Sequence, residues 1–233
     1  MGTAMQPGQV ESALIVEQIQ LGPMQNFVYI VGSAETREVA LVDPAWDIDA
    51  LLNHLDERDY KLTAALVTHY HPDHIGGSFS GNAIAGLAEL MEQRPVKVYA
   101  HKAEAEGVRK VTGVSESDVE KVDSGDTLRL GEIEVEFLHT PGHTPGSQCF
   151  RIRNTLVSGD TLFIQGCGRV DLPGSNTEDM FHSLKKLAEL PDDTLLLPGH
   201  HYSEAPNATM GETKAHNPYL RIDDLATWHN IMG

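Results

Sequence analysis

Short apolar segments with strand-like and helix-like spacing alternate along the chain. Glu38 to Asp43 (EVALVD) is a continuous apolar run that ends in an acid and is followed by Pro44, which is the pattern of a buried β-strand stopped by proline. The next segment, Asp47 to Glu57, is predicted to be an amphipathic helix, because its apolar residues fall on one helical face, at Ile48, Leu51, Leu52 and Leu55. This alternation predicts an α/β fold.

The same criteria predict two further helices and six further strands. The helices span Ile84–Met91 and Thr177–Leu190, the second with Asn176 or Thr177 as its N-cap. Because no linker rich in Gly, Ser or Pro divides the chain, residues 1–233 are predicted to form one domain, with 1–12 a flexible tail and 201–233 a short C-terminal tail. The strands span Leu62–Val67, Val96–Ala100, Ile133–Leu138, Cys149–Ile152, Thr155–Val157 and Leu195–Leu197.

Potential metal ligands follow directly after several of these strands, where α/β folds collect their functional loops. The segment THYHPDH, residues 68–74, holds four such donors within six residues. Three more stand beside turn residues in TPGHTPG, SGD and PGH. Together they supply enough nitrogen and oxygen donors for two metal ions that share a carboxylate: His69, His71, Asp73, His74, His143, Asp160 and His200.

The spacing within this set favours two neighbouring ions. His69 and His71 are two residues apart, so in an extended segment they project to the same side and reach one ion. Asp73 and His74 follow the turn at Pro72 and point differently, which suits a second ion. Six other histidines are predicted to be solvated or hydrogen-bonded residues without a metal, with His139 as a packing or supporting residue: His54, His101, His139, His182, His216 and His229.

Composition narrows the function classes. The 34 acidic and 17 basic residues give a formal net charge of −17, which disfavours nucleic acid and anionic membranes as partners. No apolar run approaches the roughly 20 residues of a membrane span, and the N-terminus does not resemble a secretory signal. Cys149 and Cys167 lack metal-binding spacing and are expected to be reduced. We therefore expect a cytoplasmic monomer or homodimer that acts on a small molecule.

The motifs THYHPDHIGG, TPGHTPG, SGDTLF and PGH resemble, in order and spacing, those of the metallo-β-lactamase superfamily. Within it, Asp160 to Gly174 followed by PGHHY is similar to the hydroxyacylglutathione hydrolase (glyoxalase II) group. The resemblance implies an α/β fold of the αββα sandwich type, with two facing mixed β-sheets flanked by helices. It also implies one ion on His69, His71 and His143, another on Asp73, His74 and His200, and Asp160 as the bridge.

This resemblance further implies a metal-dependent hydrolase that cleaves a thioester, or a related ester or lactone, with a metal-bridged hydroxide. Two zinc ions are expected, with iron or manganese as alternatives, and Asp73 would orient the hydroxide. Only 33 residues follow His200, so the resemblance leaves open whether glutathione is the thiol. Candidate substrate contacts are Arg169, Tyr202, Lys214 and Arg221.

Two other activities fit the same motifs. An iron-dependent persulfide dioxygenase shares this resemblance and would place its iron on His69, His143 and Asp160, and a lactonase or β-lactamase-type hydrolase would use the two-metal set. A serine hydrolase is disfavoured because the chain has no GxSxG motif. The stretch from Ser78 to Pro95 is expected to cover the sheet with its helix, with a role as one wall of an apolar pocket as the alternative.

Overall fold

Two six-stranded β-sheets face each other at the centre of the molecule. The computed structural model describes residues 13–232, so the predicted flexible segment 1–12 lies outside the described range. Over this range the strands, in chain order, are β1 (Leu14–Leu21), β2 (Asn26–Ser33), β3 (Glu38–Val42), β4 (Lys61–Leu66), β5 (Gly77–Phe79), β6 (Asn82–Ile84), β7 (Lys97–His101), β8 (Val119–Val122), β9 (Thr127–Leu130), β10 (Ile133–His139), β11 (Gln148–Ile152), β12 (Thr155–Gly159), β13 (Leu162–Phe163), β14 (Gly166–Cys167), β15 (Leu195–Pro198) and β16 (Ala208–Thr209).

Seven helices lie in the same range, and the N-cap predicted at Asn176 is confirmed. Asp47 accepts a hydrogen bond from Ala50 N at the start of the first helix, and Asn176 accepts one from Asp179 N at the start of the fifth. Such caps satisfy backbone donors that have no partner inside the helix. The helices are α1 (Ile48–Glu57), α2 (Pro72–Ile75), α3 (Leu87–Gln93), α4 (Ala105–Thr112), α5 (Thr177–Ala188), α6 (Met210–His216) and α7 (Leu225–Met232).

The strand order places the ends of the ligand-bearing strands along one edge of the sandwich. The first sheet has the order β1-β2-β3-β4-β7-β8 and the second β16-β15-β12-β11-β10-β9. Strands β3, β4, β7 and β8 are parallel. In the second sheet β12 is parallel to β15, and β10 runs the same way because each is antiparallel to β11. The loops after β4, β10, β12 and β15 therefore meet.

Three apolar clusters define four layers. Between the sheets, alternate residues of both pack together, among them Tyr29, Phe137 and Phe150. Helices α1 to α4 cover the outer face of the first sheet with buried side chains such as Leu55. Helices α5 to α7 cover the outer face of the second with side chains such as Trp228. The predicted αββα sandwich is thus confirmed.

One predicted helix is wrong at its start. Residues 77–84 form the hairpin β5–β6, and α3 begins only at Leu87. The two residues between the strands, Ser80 and Gly81, both have positive φ, at 50° and 81°, as a tight type I′ hairpin turn requires. The helix itself buries Leu87 and Leu90 against the first sheet, which was expected.

The C-terminal residues and the helix lengths complete the description. Residues 201–232 add β16, α6 and α7, and they pack on the outer face of the second sheet through Met210, Leu220, Ile222 and Trp228. Over residues 13–232, every helix is too short or too polar to cross a lipid bilayer.

Candidate metal centre

The seven predicted metal donors converge at the edge of the sandwich where the ligand-bearing strands end. Donor atoms of His69, His71 and His143 lie within 4.8 Å of one another, as do those of a second cluster. His69 and His71 follow β4, and His143 follows β10. The second cluster combines the segment after the same strand with the loop after β15: Asp73, His74 and His200.

Asp160 lies between the two clusters at the end of β12. Its Oδ2 is 3.7 Å from His143 Nε2 in the first cluster and 3.3 Å from His200 Nε2 in the second. Its Oδ1 is 3.4 Å from His74 Nε2. Gly199 allows this approach, because a Cβ there would lie 2.3 Å from Asp160 Oδ1. The carboxylate therefore reaches both clusters at once.

Hydrogen bonds on the far side of each ring fix the orientation of four histidines. Nδ1 of His143 is 2.8 Å from the Arg169 carbonyl and Nδ1 of His200 is 2.9 Å from the Met24 carbonyl. A carbonyl only accepts, so in both rings Nδ1 carries the proton and Nε2 presents its lone pair to the cluster. His71 is turned the other way, with its Nδ1 3.0 Å from His143 Nε2.

Asp43 fixes the remaining two rings, and the sequence analysis noted it only as the acid that ends a strand. Its Oδ1 accepts from Thr68 N at 2.7 Å, and its Oδ2 accepts from Thr68 Oγ1 at 2.5 Å and from His74 Nδ1 at 3.0 Å. Since the Thr68 hydroxyl donates to Asp43, it accepts from His69 Nδ1, at 3.0 Å. Asp43, His69 and His74 also lie close enough together to form a metal-binding group. Both oxygens of Asp43 already accept hydrogen bonds, however, so we assign it the role of orienting the histidine rings.

The donor set fits divalent metal ions. His69 Nε2 and Asp160 Oδ1 are buried and have no hydrogen-bond partner among the described residues, and burying a polar atom without a partner is costly. Both atoms face the clusters. The closest nitrogen pairs, His143–His71 and His74–His200, are 3.0 and 3.1 Å apart, near the ~3.3 Å between two nitrogens bound to one tetrahedral zinc.

The pKa shifts of the histidines differ between the first and the second cluster. Burial lowers the pKa of His69 well below its usual value and that of His71 to about 4, with the neighbouring histidines adding to the effect. Both rings are therefore neutral at pH 7, the form that binds a metal. Burial also opposes the charged form of His74, yet Asp73, Asp160 and Asp43 raise its pKa to about 10. Those carboxylates favour positive charge on the second side.

Asn26 and Trp46 support the second cluster and were not predicted. Asn26 Nδ2 donates to Asp73 Oδ2 at 2.9 Å, and Trp46 Nε1 donates to Asn26 Oδ1 at 3.0 Å. The amide can only take one orientation here, because the indole N–H must meet its oxygen. Asn26 thereby fixes the same oxygen, Asp73 Oδ2, that lies 3.4 Å from His74 Nε2 and 3.5 Å from His200 Nε2 in the second cluster.

Glu104 links the two loops that carry the first cluster, and the sequence analysis did not single it out. Its Oε1 accepts from Tyr70 N at 2.8 Å and from Thr144 Oγ1 at 2.7 Å, and its Oε2 accepts from Gly146 N at 2.8 Å. The side chain is buried, at the start of α4. Burial raises the pKa of this carboxyl, although the three hydrogen bonds act in the opposite direction.

A cavity of about 630 Å³ opens above the clusters. Asp73, Asp160 and three of the histidines form its floor, and its walls are mostly apolar. Two of the predicted substrate contacts line it. Tyr202 stacks on the ring of His200, with centroids 4.5 Å apart and planes 7° from parallel. Arg169 also lines the cavity, but its guanidinium pairs with Asp171 through bonds of 2.9 and 2.8 Å.

The other two predicted substrate contacts lie elsewhere. Lys214 Nζ donates to the Leu190 carbonyl at 2.7 Å and to Asp192 Oδ1 at 2.8 Å. Arg221 is exposed beside Leu220, which packs on the outer face of the second sheet. Neither residue lines the cavity, so the structure does not support these two as substrate contacts. Beyond Ser203, the C-terminal segment covers the second sheet and does not line the cavity.

The histidines predicted to lack a metal stay outside both clusters. His139 stacks on His101, with ring centroids 3.8 Å apart, and its Nε2 donates to the Pro145 carbonyl at 3.0 Å. Both cysteines are free thiols, as expected. Cys167 lines the cavity, while Cys149 is buried in the second sheet.

Comparisons with known proteins agree with this geometry. A sequence model of the metallo-beta-lactamase superfamily matches residues 21–200. The probable polyketide biosynthesis zinc-dependent hydrolase BaeB of Bacillus velezensis is 32% identical over 200 residues, covering 85% of this chain and 83% of that protein. A hydroxyacylglutathione hydrolase of Rhodopseudomonas palustris is 38% identical over 233 residues, covering 85% and 84%. The persulfide dioxygenase ETHE1 of Homo sapiens is 32% identical over 203 residues, covering 84% and 72%.

Proposed function

Because the chain belongs to the metallo-beta-lactamase superfamily, we propose that it is a binuclear metallohydrolase that cleaves a thioester or a related ester. The observation that carries this proposal is the pair of three-donor clusters joined by Asp160. The hydrolases among its relatives agree with it, including one hydroxyacylglutathione hydrolase at 38% identity.

In this proposal, one ion would be held by His69, His71 and His143 and the other by Asp73, His74 and His200, and Asp160 would be available to both. Zinc suits a set of imidazoles and carboxylates, and the BaeB relative is described as zinc-dependent. When bound, two such ions would supply a water of lowered pKa and positive charge for the oxyanion of the reaction.

The protein's own groups orient the reactants around that chemistry. Asp73 lines the cavity floor and Asn26 fixes its Oδ2 beside the second cluster, so the carboxylate would be placed to accept a hydrogen bond from the attacking water. A substrate bound against the apolar walls would displace water from the floor, which would strengthen electrostatic interactions there. A nucleophilic thiol is not needed, and Cys167 does not provide one at neutral pH, because burial raises its pKa to about 12.

A second candidate is persulfide oxidation on a single iron. Similarity to the persulfide dioxygenase ETHE1 favours it, and the residues implied for such an iron, His69, His143 and Asp160, lie together in this structure. The two activities differ in metal number and in their need for oxygen, so they can be separated directly.

The deciding experiment combines metal analysis with a substrate panel. Protein loaded with zinc, manganese or iron would be assayed on thioesters, lactones, a β-lactam and glutathione persulfide. Two ions per chain with thioester hydrolysis would support the proposal. One iron per chain with oxygen uptake on the persulfide would contradict it and support the second candidate.

Substitutions test the assignment of the site itself. His71→Ala and Asp160→Ala should each lower metal content and reduce thioester turnover by about 1,000-fold or more, since each removes a donor. His182→Ala is the matched control, because His182 is exposed on α5 and pairs only with Glu178 among the described residues. Full turnover in either site variant would refute the assignment.

A further inference from the structure

The walls of the cavity carry exposed aromatic side chains. Among the residues that the structure describes, three large apolar side chains are exposed: Phe79, Tyr202 and Ile231. Two of the three, Phe79 at 48% and Tyr202 at 56%, line the same cavity. Phe163 lines the same cavity and contacts both Tyr202 and His200, with ring centroids 5.4 and 6.1 Å apart. Exposed aromatic groups that line one cavity are typical of a binding site for an apolar ligand.

Phe79 reaches the cavity because of the β5–β6 hairpin. The tight turn at Ser80 and Gly81 ends β5 directly after Phe79, so the ring stands at the tip of the hairpin. The hairpin leaves the segment that carries Asp73 and His74 and packs beside it through α2 and β5. The wall and the proposed metal site are therefore one continuous piece of chain.

The described lining of the cavity offers little attraction to a negatively charged substrate. Arg169 is the only lysine or arginine in its lining among the described residues, and its guanidinium pairs with Asp171, which leaves that pair without net charge. The chain as a whole carries a net charge of −17. The two carboxylates of a glutathione moiety would meet no uncompensated cation in this lining.

From these observations we infer that the preferred substrates are thioesters with an uncharged thiol and an apolar acyl group, and that Phe79 determines acyl selectivity. The inference rests on the proposed hydrolase function and specifies its substrate class. The acyl carbonyl lies over the floor, and the acyl chain extends along Phe79, Phe163 and Tyr202.

The test is a series of thioesters of one uncharged thiol, N-acetylcysteamine, with acetyl, butyryl and hexanoyl groups, beside S-lactoylglutathione. Each methylene buried on an apolar wall increases kcat/KM about fourfold. The hexanoyl ester should therefore exceed the acetyl ester by about 200-fold if all four added methylenes are buried. S-lactoylglutathione should be a poorer substrate than the hexanoyl ester.

Two variants connect this selectivity to the hairpin. Phe79→Ala should reduce the ratio of hexanoyl to acetyl kcat/KM about tenfold, because roughly half of that side chain is left for a ligand to cover. Phe79→Leu should keep most of the ratio, which separates selectivity from misfolding of the hairpin. Ile231→Ala is the matched control, since Ile231 is equally exposed on α7 but lies outside the cavity, and its ratio should not change.

Failure of this substrate inference and failure of the proposed hydrolase function would give different results. A flat dependence on acyl length, or a preference for S-lactoylglutathione that Arg169→Gln abolishes, would overturn the inference while the proposed hydrolase function stands. Absence of turnover with every thioester, on metal-loaded protein, would refute the proposed function itself. An unchanged acyl ratio in Phe79→Ala would remove Phe79 as the selectivity residue.

Discussion

Replacing Glu104 by alanine should damage both the stability and the metal affinity of the protein. The carboxylate is 1% exposed and accepts hydrogen bonds from Tyr70 N, Thr144 Oγ1 and Gly146 N. Removing it leaves two backbone N–H groups and one hydroxyl without their acceptor. Each such buried donor costs about 1–3 kcal/mol, partly recovered if water enters the gap, so we expect a loss of about 3–5 kcal/mol in the free energy of unfolding.

The effect on function follows from where these bonds lie. Tyr70 stands between His69 and His71, and Thr144 follows His143, so Glu104 holds both loops that form the first cluster. Loss of a supporting bond of this kind lowers metal affinity about 10- to 100-fold. Zinc affinity would be measured by competition with a chromophoric chelator, and unfolding by urea titration followed by circular dichroism.

The control for this prediction is Glu106→Ala. Glu106 lies two residues further along α4, is exposed, and pairs with Lys110 at 2.6 Å. Surface pairs of this kind contribute about 0–1 kcal/mol, so this variant should retain normal stability and zinc affinity. The reasoning would be refuted if Glu104→Ala lost less than about 1 kcal/mol, by the same scale, and bound zinc as tightly as the unchanged protein.

Three further predictions concern other residues of the site. Glu104→Gln should be milder than Glu104→Ala. Burial raises the pKa of Glu104 in the folded protein, so protonation of this carboxyl contributes stability that is lost as pH rises from the unfolded pKa to the higher folded one. In urea titrations, the unfolding free energy of the unchanged protein minus that of Glu104→Gln should therefore fall with rising pH. Asn26→Leu should weaken zinc binding about 10- to 100-fold in the chelator assay, because it releases Asp73 Oδ2; unchanged affinity would exclude a positioning role. His139→Ala should lose far less thioester turnover than His143→Ala, since His139 stacks outside both clusters, and equal losses would show that the choice between the two histidines was wrong.

The position of the site was predictable from local sequence pattern. Asp160 and His200 each follow an apolar run directly, and such runs form buried strands whose ends deliver the next residues to the sheet edge. The runs before His69 and before TPGH behave in the same way. Because β10, β12 and β15 run in one direction, those ends meet, and the donors converge without any further signal in the sequence.

The supporting residues were not predictable because their contacts join distant parts of the chain. Glu104 reaches Gly146 across 42 positions, and Asn26 reaches Asp73 across 47. A single glutamate before a helix or a single asparagine at the start of a strand has many harmless explanations, and only the fold shows which backbone donor it meets. Asp43 was visible as an acid at a strand end, but its partners were not.

For a related reason, the sequence could not separate the predicted substrate contacts that line the cavity from those that lie elsewhere. Tyr202 and Lys214 are both polar residues after His200, and nothing local distinguishes them. The fold does, because the chain crosses the cavity mouth at Tyr202 and then leaves to cover the second sheet, where Lys214 caps the end of α5 through the Leu190 carbonyl. The hairpin at Phe79 was not predictable from the helical spacing of residues 84–91, and Ser80-Gly81 is only a short turn signal before it.

The charge of the buried site gives a separate argument about the number of ions. Asp43, Asp73 and Asp160 are each less than 10% exposed and lie within one hydrogen-bonded group with His74, so three negative charges are concentrated where uncompensated charge costs several kcal/mol. One divalent ion leaves a net charge of −1, which His74 can cancel only by keeping its proton and giving up its role as a ligand. Two divalent ions leave +1, which the single negative charge of a hydroxide nucleophile cancels. The three carboxylates around His74 would therefore balance the charge of the two divalent ions that the proposed hydrolase function requires.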